Sequence, residues 1–204
     1  MHGALWIGLI LVTTAWSQTL EIVSEQGDRS TIEVGIDGEV LLSICADLAG
    51  AGTVSGFVFH LALPAGAFAL EMPGPFRPGA LFADASEFAN GPVPSGPAWG
   101  TAADIEVLTY AAVVGPAVKR GRTGRGELAR LVLRPLRAVN ASIHFVQSPV
   151  YPANVVLGDG RGERVFRSTQ GIDVHVRPAL LSKEALARPS WARIKSALAT
   201  REKD

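Results

Sequence analysis

The sequence predicts an all-β protein, an antiparallel β-sandwich or barrel of about nine strands with a short C-terminal amphipathic helix. Three observations point to this fold. Apolar and polar residues alternate at a period of two in short segments, and turn-forming Gly, Pro and Asp residues separate those segments. Helical periodicity is absent until roughly the last 25 residues. The length of 204 residues suits one domain with short appendages.

Four strands are predicted in the first third of the chain: Leu20–Ser24, Thr31–Ile36, Val40–Cys45 and Ser55–Leu63. Asp37-Gly38 predicts a tight turn between the second and third. The fourth has the clearest pattern, because alternate residues would point to opposite faces of a sheet. One face would carry Phe57, Phe59, Leu61 and Leu63, and the other Val58, His60 and Ala62.

The stretch from Pro64 to Gly100 interrupts this pattern, since it holds seven of the 13 prolines. Loops of this length are uncommon inside compact domains. One interpretation is a rigid, proline-braced crossover between two sheets, with one helical turn or a short strand in its middle. The other is a binding loop that carries the aromatic residues Phe76, Phe82, Phe88 and Trp99.

Five further strands are predicted downstream: Ile105–Val114, Gly126–Arg134, Ala141–Val146, Asn154–Leu157 and Ile172–Val176. In the second of these the alternation is imperfect. Asp159-Gly160-Arg161-Gly162 predicts a hairpin-like turn. Because no helices intervene between these segments, they favour an antiparallel sandwich or barrel.

The N-terminal residues 1–17 have the features of an export signal. They contain no Lys, Arg, Asp or Glu, and the apolar run Ala4–Val12 is too short to span a bilayer. Ala15-Trp16-Ser17 is a small-x-small site, so we expect cleavage before Gln18. The alternative is a buried or anchoring N-terminal helix. With cleavage, the β-sandwich domain would span residues 18–178.

Residues 179–204 form a basic tail of different composition. Trp191, Ile194, Ala197 and Leu198 recur at the spacing of an amphipathic helix, with Lys and Arg on its other side. A helix this short is marginally stable alone, so it should dock on another surface. That surface is either the sandwich itself or an envelope component or partner.

Composition excludes several classes of protein. A 48% hydrophobic and 19% charged chain is not disordered, and a net charge of zero argues against a dedicated nucleic-acid binder. The single Cys45 excludes an intrachain disulfide or a multi-cysteine metal site, and we expect it at an inert core position. The charge is nevertheless uneven, since residues 18–110 carry 2 basic and 12 acidic side chains and residues 111–178 carry 11 and 4.

No catalytic motif is present, so the chain is predicted to be a non-enzyme without cofactors. His60, His144 and His175 lie in separate predicted strands, which favours ordinary hydrogen-bonded histidines over a metal site. The cationic segment Lys119–Arg125 favours a solvated hairpin over an anion-binding loop, because no aromatic residues interleave. The candidate ligand-binding residues are Trp99, Phe82 and Phe88, with Trp99 the main candidate for stacking on a sugar.

Several segments, in the right order, resemble cohesin-type domains. The stretch from Gly35 to Leu61 resembles their opening, in which a strand and a small-residue loop lead into a G-F-x-F-x-L strand. Three later segments are also similar to cohesin motifs: Gly79–Phe82 with Phe88, Gly124–Arg134, and Asn154–Gly162. The sequence departs from the family at Leu63–Leu70, where cohesins usually have Tyr-Asp-Pro.

This resemblance implies a nine-stranded jelly-roll-like sandwich that acts as an exported, non-catalytic binding or scaffold module. Its partner would be a dockerin-like or other envelope protein, outside the cell or at its envelope, in the setting of polysaccharide degradation. The alternative function is a carbohydrate-binding module whose partner is a polysaccharide. A third is a secreted hydrolase that uses carboxylates on a sheet. No nucleic-acid partner and no stable membrane span after signal cleavage are expected.

Overall fold

The computed structural model describes residues 18–94, 96, 101–115, 121–146, 148, 150–158 and 162–179. These residues form fourteen strands and one 3₁₀ turn, Ala80–Phe82. The strands are β1 (Thr19–Ser24), β2 (Thr31–Gly35), β3 (Val40–Asp47), β4 (Val54–Pro64), β5 (Phe68–Leu70), β6 (Phe76–Pro78), β7 (Ser86–Val93), β8 (Ile105–Val113), β9 (Arg125–Pro135), β10 (Val139–Phe145), β11 (Asn154–Leu157), β12 (Glu163–Val165), β13 (Ser168–Gln170) and β14 (Ile172–Arg177). None of the described segments is a helix long and apolar enough to cross a bilayer.

The strands form two sheets that pack face to face as a β-sandwich, which confirms the predicted fold class. The smaller sheet has the order β13-β1-β3-β9-β5, and β6 also pairs with β9. The larger sheet has the order β12-β11-β4-β10-β14-β2. The other edge of β4 pairs with β8, and β8 pairs with β7. β4 therefore lies between β8 on one side and β10 and β11 on the other.

Alternating side chains form the core between the sheets. In β1 and β3 every second residue is buried, including Leu20, Ile22, Leu42 and Ile44. Burying such a face against a second sheet is what stabilises a sandwich. In β4 the inward residues are those that the alternation predicted, Phe57, Phe59, Leu61 and Leu63.

Aromatic rings fill the centre of this core. The Phe59 ring lies between four others, with ring centroids 5.8 Å from Phe57, 5.4 Å from Phe76, 5.8 Å from Tyr110 and 6.0 Å from Phe145. The Tyr110 hydroxyl is satisfied by donating a 3.0 Å hydrogen bond to the Glu87 carboxylate. Burial and this carboxylate both raise the pKa of Tyr110 above its usual value.

The proline-rich stretch is a crossover between sheets, but it is built from strands. β5 and β6 pair with β9 in the smaller sheet, and β7 then pairs with β8 in the larger one. The stretch therefore agrees with the crossover interpretation, including one helical turn in its middle, Ala80–Phe82, but it contains three strands that the sequence analysis did not identify. The Asn90 side chain braces the crossover, since it accepts a hydrogen bond from the Phe76 amide at 2.9 Å and donates to the Phe76 carbonyl at 2.8 Å.

Two strand pairs depart from the predicted antiparallel pattern. β1 is parallel to β13, and β2 is parallel to β14. The turn at Asp37-Gly38 is present, with the Gly38 amide donating to the Gly35 carbonyl at 2.9 Å. It does not form a hairpin, because β2 and β3 belong to different sheets. β11 and β12 do form an antiparallel pair, as a hairpin in this part of the chain requires.

A β-bulge explains the imperfect alternation in β9. Ile44 of β3 pairs with Ala129 and Cys45 pairs with Glu127, so Leu128 is an extra residue in the ladder. Leu128 and Ala129 are consequently both buried. Cys45 was expected in the core, but it is half-buried on the outer face of the smaller sheet. Burial, followed by the nearby Glu127 and Glu21 carboxylates, raises the pKa of this thiol, so it stays protonated at neutral pH.

Some predictions lie wholly or partly outside the described residues. These are the signal peptide of residues 1–17, the helical part of the tail beyond residue 179, the aromatic residue Trp99, the turn at residues 159–161, and Lys119 and Arg120 of the cationic segment.

Candidate functional site

The outer face of the smaller sheet is charged. Glu21 of β1 pairs with Arg125 at 2.5 Å and with Arg29 at 3.2 Å. Further along the sheet, Glu127 pairs with Arg130 at 2.8 Å. A surface covered by hydrated ion pairs costs desolvation energy when it is buried against a partner.

The outer face of the larger sheet is different, because small and apolar side chains predominate at its β4, β8 and β11 strands. A groove of about 410 Å³ runs along this face. We call it the β4–β8 groove. Its floor is lined by Gly56, Val58, Ala111, Val113 and Val156. Strand pairing explains this arrangement, since Val58 stands opposite Ala111 of β8 and Asn154 of β11, and paired residues point to the same side.

Exposed hydrophobic side chains line the β4–β8 groove beside its floor. Phe88 is 75% exposed, Val150 68% and Tyr151 37%, and all three line the β4–β8 groove. Large side chains exposed singly are common, but a cluster around an apolar groove is typical of an interaction surface. Tyr151 also packs edge-on against the His60 ring, with ring centroids 6.3 Å apart.

A β-bulge places Phe88 at the groove. Glu87 of β7 pairs with Ala112 and Ala89 pairs with Ala111, so Phe88 is an extra residue between them. A bulge bends its strand locally and re-aims the inserted side chain. Glu87 points inward to Tyr110, whereas Phe88 lines the outer groove.

His60 and Thr109 close one end of the floor. The Nδ1 atom of His60 lies 2.8 Å from Oγ1 of Thr109, and both side chains are buried on this outer face. Burial lowers the pKa of His60 from 6.5 to about 4, so the imidazole is neutral at physiological pH.

Asn154 and Glu163 form the polar end of the β4–β8 groove. The Nδ2 atom of Asn154 donates a 2.6 Å hydrogen bond to Oε2 of Glu163. Asn154 is only 8% exposed, and its Oδ1 atom has no hydrogen-bond partner. Among the described residues that line the groove, Glu163 is the charged one.

Comparison with known proteins identifies the fold. No family model and no curated protein matches the sequence. A type I cohesin, the seventh of ScaB from Pseudobacteroides cellulosolvens, matches with a TM-score of 0.53 and 10% identity over 81% of this chain and 96% of that one. A type II cohesin from the cellulosome of Acetivibrio cellulolyticus matches at 0.50 and 16% over 78% and 95%.

A third similar structure is the sixth cohesin of Acetivibrio cellulolyticus scaffoldin B, solved in complex with a mutant Cel5 dockerin. It matches with a TM-score of 0.50 and 10% identity over 79% of this chain and 98% of that one. The chain has the cohesin fold. At sequence identities this low, the similarity establishes the fold alone. The function has to be argued from the residues of this chain.

The sequence segments that resemble cohesin motifs can be assigned to elements of the structure. The G-F-x-F-x-L segment is β4, at the centre of the larger sheet. The Gly79–Phe82 segment lies at the 3₁₀ turn beside β9. The departure at Leu63–Leu70 coincides with the end of β4 and the short strand β5, far along β4 from the groove floor at Gly56 and Val58.

The sequence-predicted site residues have different positions in the structure. Phe88 lines the β4–β8 groove, and its role in binding stays a prediction. Phe82 is 1% exposed and packs edge-on against Phe57 with centroids 4.8 Å apart, so it is a core residue and is not accessible to a ligand. Phe76 is likewise buried. The sequence analysis did not identify Tyr151 or Asn154 as site residues. It did predict from the alternation that Val58 lies on the face of β4 opposite the phenylalanines.

The described arginines of the cationic segment form ion pairs with carboxylates. Arg122 pairs with Asp84, and Arg125 pairs with Glu21, so these described members of the cationic segment face carboxylates. Across the described ranges, no three His, Cys, Asp or Glu side chains come together as metal ligands. His175 instead lies 2.8 Å from the Asn140 side-chain oxygen.

Proposed function

We propose that this protein is an exported, non-catalytic interaction module that binds a dockerin-like protein through the β4–β8 groove. The observation that carries the proposal is the contrast between the two outer faces. Glu21 and Glu127 form ion pairs on the outer face of the smaller sheet, whereas the larger sheet has an apolar groove at β4, β8 and β11 with Phe88, Val150 and Tyr151 exposed beside it. Aromatic residues are enriched, and charged residues depleted, at the centres of protein interfaces.

The cohesin fold supports a protein partner. The scaffoldin B cohesin that matches this chain was solved in complex with a dockerin. By this similarity, the function is binding rather than catalysis. The setting we propose is extracellular, within an assembly for polysaccharide degradation.

Binding to a panel of dockerin domains tests the proposal. The chain from Gln18 onward would be immobilised and titrated with type I and type II dockerins, including the Cel5 dockerin. We expect at least one dissociation constant in the micromolar range or tighter, as specific interfaces of this kind reach. If none of the panel binds a folded sample, the dockerin-like partner is wrong.

Export has its own test. Expression of the full chain in a secreting bacterial host, followed by N-terminal sequencing of the extracellular fraction, should yield a protein that begins at Gln18. Recovery of the intact chain with Met1 in the cytoplasm alone would contradict export.

A carbohydrate-binding module is the second candidate, favoured by one observation. The Tyr151 ring lies in the same groove as the polar groups of Asn154 and Glu163, and sugar sites combine aromatic and hydrogen-bonding groups. A glycan array with the wild type and with Tyr151→Ala tests it. Sugar binding that Tyr151→Ala abolishes would favour this candidate over the first, and an array without signal would eliminate it.

A further inference from the structure

The polar end of the β4–β8 groove presents acceptors and a negative charge. Asn154 donates its Nδ2 hydrogen to Glu163 Oε2 at 2.6 Å, which leaves the second carboxylate oxygen of Glu163 available. Glu163 is exposed on β12, at the edge of the larger sheet, and no other described residue forms an ion pair or hydrogen bond with it.

The Oδ1 atom of Asn154 is the second acceptor. Asn154 is 8% exposed, and this oxygen has no hydrogen-bond partner. A buried acceptor without a donor is unfavourable, so a donor supplied by a partner would stabilise this oxygen. Because Asn154 lines the groove beside Glu163, a donor that enters the groove meets the Glu163 carboxylate directly, and it reaches the covered Oδ1 atom once the Asn154 side chain turns toward it.

An apolar floor adjoins this polar end. Asn154 pairs directly with Val58 across the β4–β11 ladder, and Val58 pairs with Ala111 on its other side. Directly paired residues in antiparallel strands have Cα atoms about 5 Å apart. A ligand that reaches Asn154 therefore also covers the apolar floor.

We infer that the partner inserts a Lys or Arg side chain at Asn154 and Glu163, next to an apolar side chain over Val58 and Ala111. This inference rests on the proposed function and specifies the chemistry of the partner. A cation is favoured over a neutral donor because Glu163 would otherwise lose hydration on binding without a compensating charge. Among the described residues, the lining of the groove supplies no cation of its own.

The ammonium or guanidinium group also fits the geometry of the acceptors. Both cations donate several hydrogen bonds and accept none, so one group can serve the Glu163 carboxylate and the Asn154 amide oxygen together. A carboxylate or phosphate on the partner would instead meet two acceptors and be repelled.

Selection from a random-peptide phage library tests this chemistry without knowledge of the natural partner. The bait is the chain from Gln18 onward, and each enriched peptide is counter-screened against Val58→Asp to keep those that need the groove. We expect the groove-dependent peptides to share a Lys or Arg beside a Leu, Ile, Met or aromatic residue. The best peptide is then synthesised, with a second version in which norleucine replaces the cationic residue.

Affinities of both peptides for the wild type and for Glu163→Gln form a double-mutant cycle. We expect Glu163→Gln to weaken the cationic peptide by about tenfold or more and to leave the norleucine peptide within about twofold. Glu39→Gln is the matched control, since Glu39 is an exposed carboxylate outside the groove that pairs with Arg134. It should change neither affinity, and circular dichroism should show the same folded spectrum for all variants.

The outcomes separate this inference from the proposed function. Groove-dependent peptides that lack a cation, or that bind Glu163→Gln as tightly as the wild type, would overturn the inference and leave the groove as a binding site. A selection that yields no peptide sensitive to Val58→Asp would overturn both.

Discussion

The imidazole of His60 and the hydroxyl of Thr109 meet at 2.8 Å on the outer face of the larger sheet, away from the central core. They mark a boundary on that face. On the Pro64 side of the pair, a second small apolar cluster of Ala62, Val107 and Val146 is buried. On the Gly56 side, the same face is open as the β4–β8 groove. The boundary explains why only one end of the central strand is available for binding.

Acid should destabilise the protein through His60. The folded-state pKa is about 4 and the ordinary value is 6.5, so between these values the unfolded chain takes up a proton that the folded protein does not. The free energy of unfolding should therefore be fully present above pH 6.5 and should fall as the pH drops toward 4. We expect a loss of about 2 kcal/mol from this residue, measured by urea denaturation at several pH values.

His60→Asn provides the comparison for this pH effect. The asparagine amide can occupy a position near Nδ1 and bond to Thr109, but it does not titrate. The variant should lose less stability than the wild type between pH 6.5 and 4, because the group whose pKa is lowered by burial has been removed. Equal pH dependence in the two proteins would show that His60 is not the group responsible.

Phe82 and Phe88 lie six positions apart and should behave in opposite ways. Phe82 is a core residue, so Phe82→Ala should lower the free energy of unfolding by about 3–5 kcal/mol. Phe88 is 75% exposed, so Phe88→Ala should change stability by no more than about 0.5 kcal/mol and should weaken partner binding. Chemical denaturation and titration of both variants check this. A large stability loss in Phe88→Ala would contradict the position of its side chain.

Gly79 packs directly against the backbone of β9 at its bulge, where a side chain would not fit. Its amide donates to the Leu128 carbonyl at 2.8 Å, and an added Cβ would overlap with backbone atoms of Glu127 and Leu128, well inside van der Waals contact. Gly79→Ala should therefore destabilise the protein by about 1–3 kcal/mol, because backbone must move. Gly35→Ala is the control, since a Cβ there meets no atom within 4 Å, and thermal melts should show it unchanged or slightly more stable. Equal melting temperatures for the two variants would disprove the close approach.

The sequence was most informative where a strand buries one face. All nine predicted strands are present, and the inward side chains of β4 were identified from alternation alone. The short strands β5, β6, β12 and β13 escaped prediction because three residues are too few to establish a period. β7 escaped because its bulge and its Gly91-Pro92 step break the alternation.

The candidate site was only partly predictable, because it depends on contacts between distant segments. Phe82 and Phe88 look alike in sequence, and only the insertion of Phe88 into a bulge separates an exposed ring from a buried one. Tyr151 and Asn154 reach the groove through the pairing of β11 with β4, about a hundred positions earlier in the chain. No local pattern encodes that pairing.

The structure also resolves the uneven charge along the chain. Four ion pairs join carboxylates of residues 18–110 to arginines of residues 111–178: Glu21–Arg125, Glu33–Arg177, Glu39–Arg134 and Asp84–Arg122. Because strands from the two halves are neighbours in the sheets, opposite charges meet locally. The two halves therefore neutralise each other at these positions, which include the β2–β14 pair of the larger sheet.

The most direct test of the account compares two valines at matched positions. Val58 and Val132 are both half-buried, on the outer faces of the larger and the smaller sheet respectively. Each would be changed to Asp, and the affinity for the dockerin bound by the wild type would be measured by calorimetry. We predict that Val58→Asp weakens binding by about a hundredfold or more, since it buries a charge at the interface, and that Val132→Asp leaves it within about threefold. Loss of binding in Val132→Asp with retention in Val58→Asp would contradict the assignment of the β4–β8 groove.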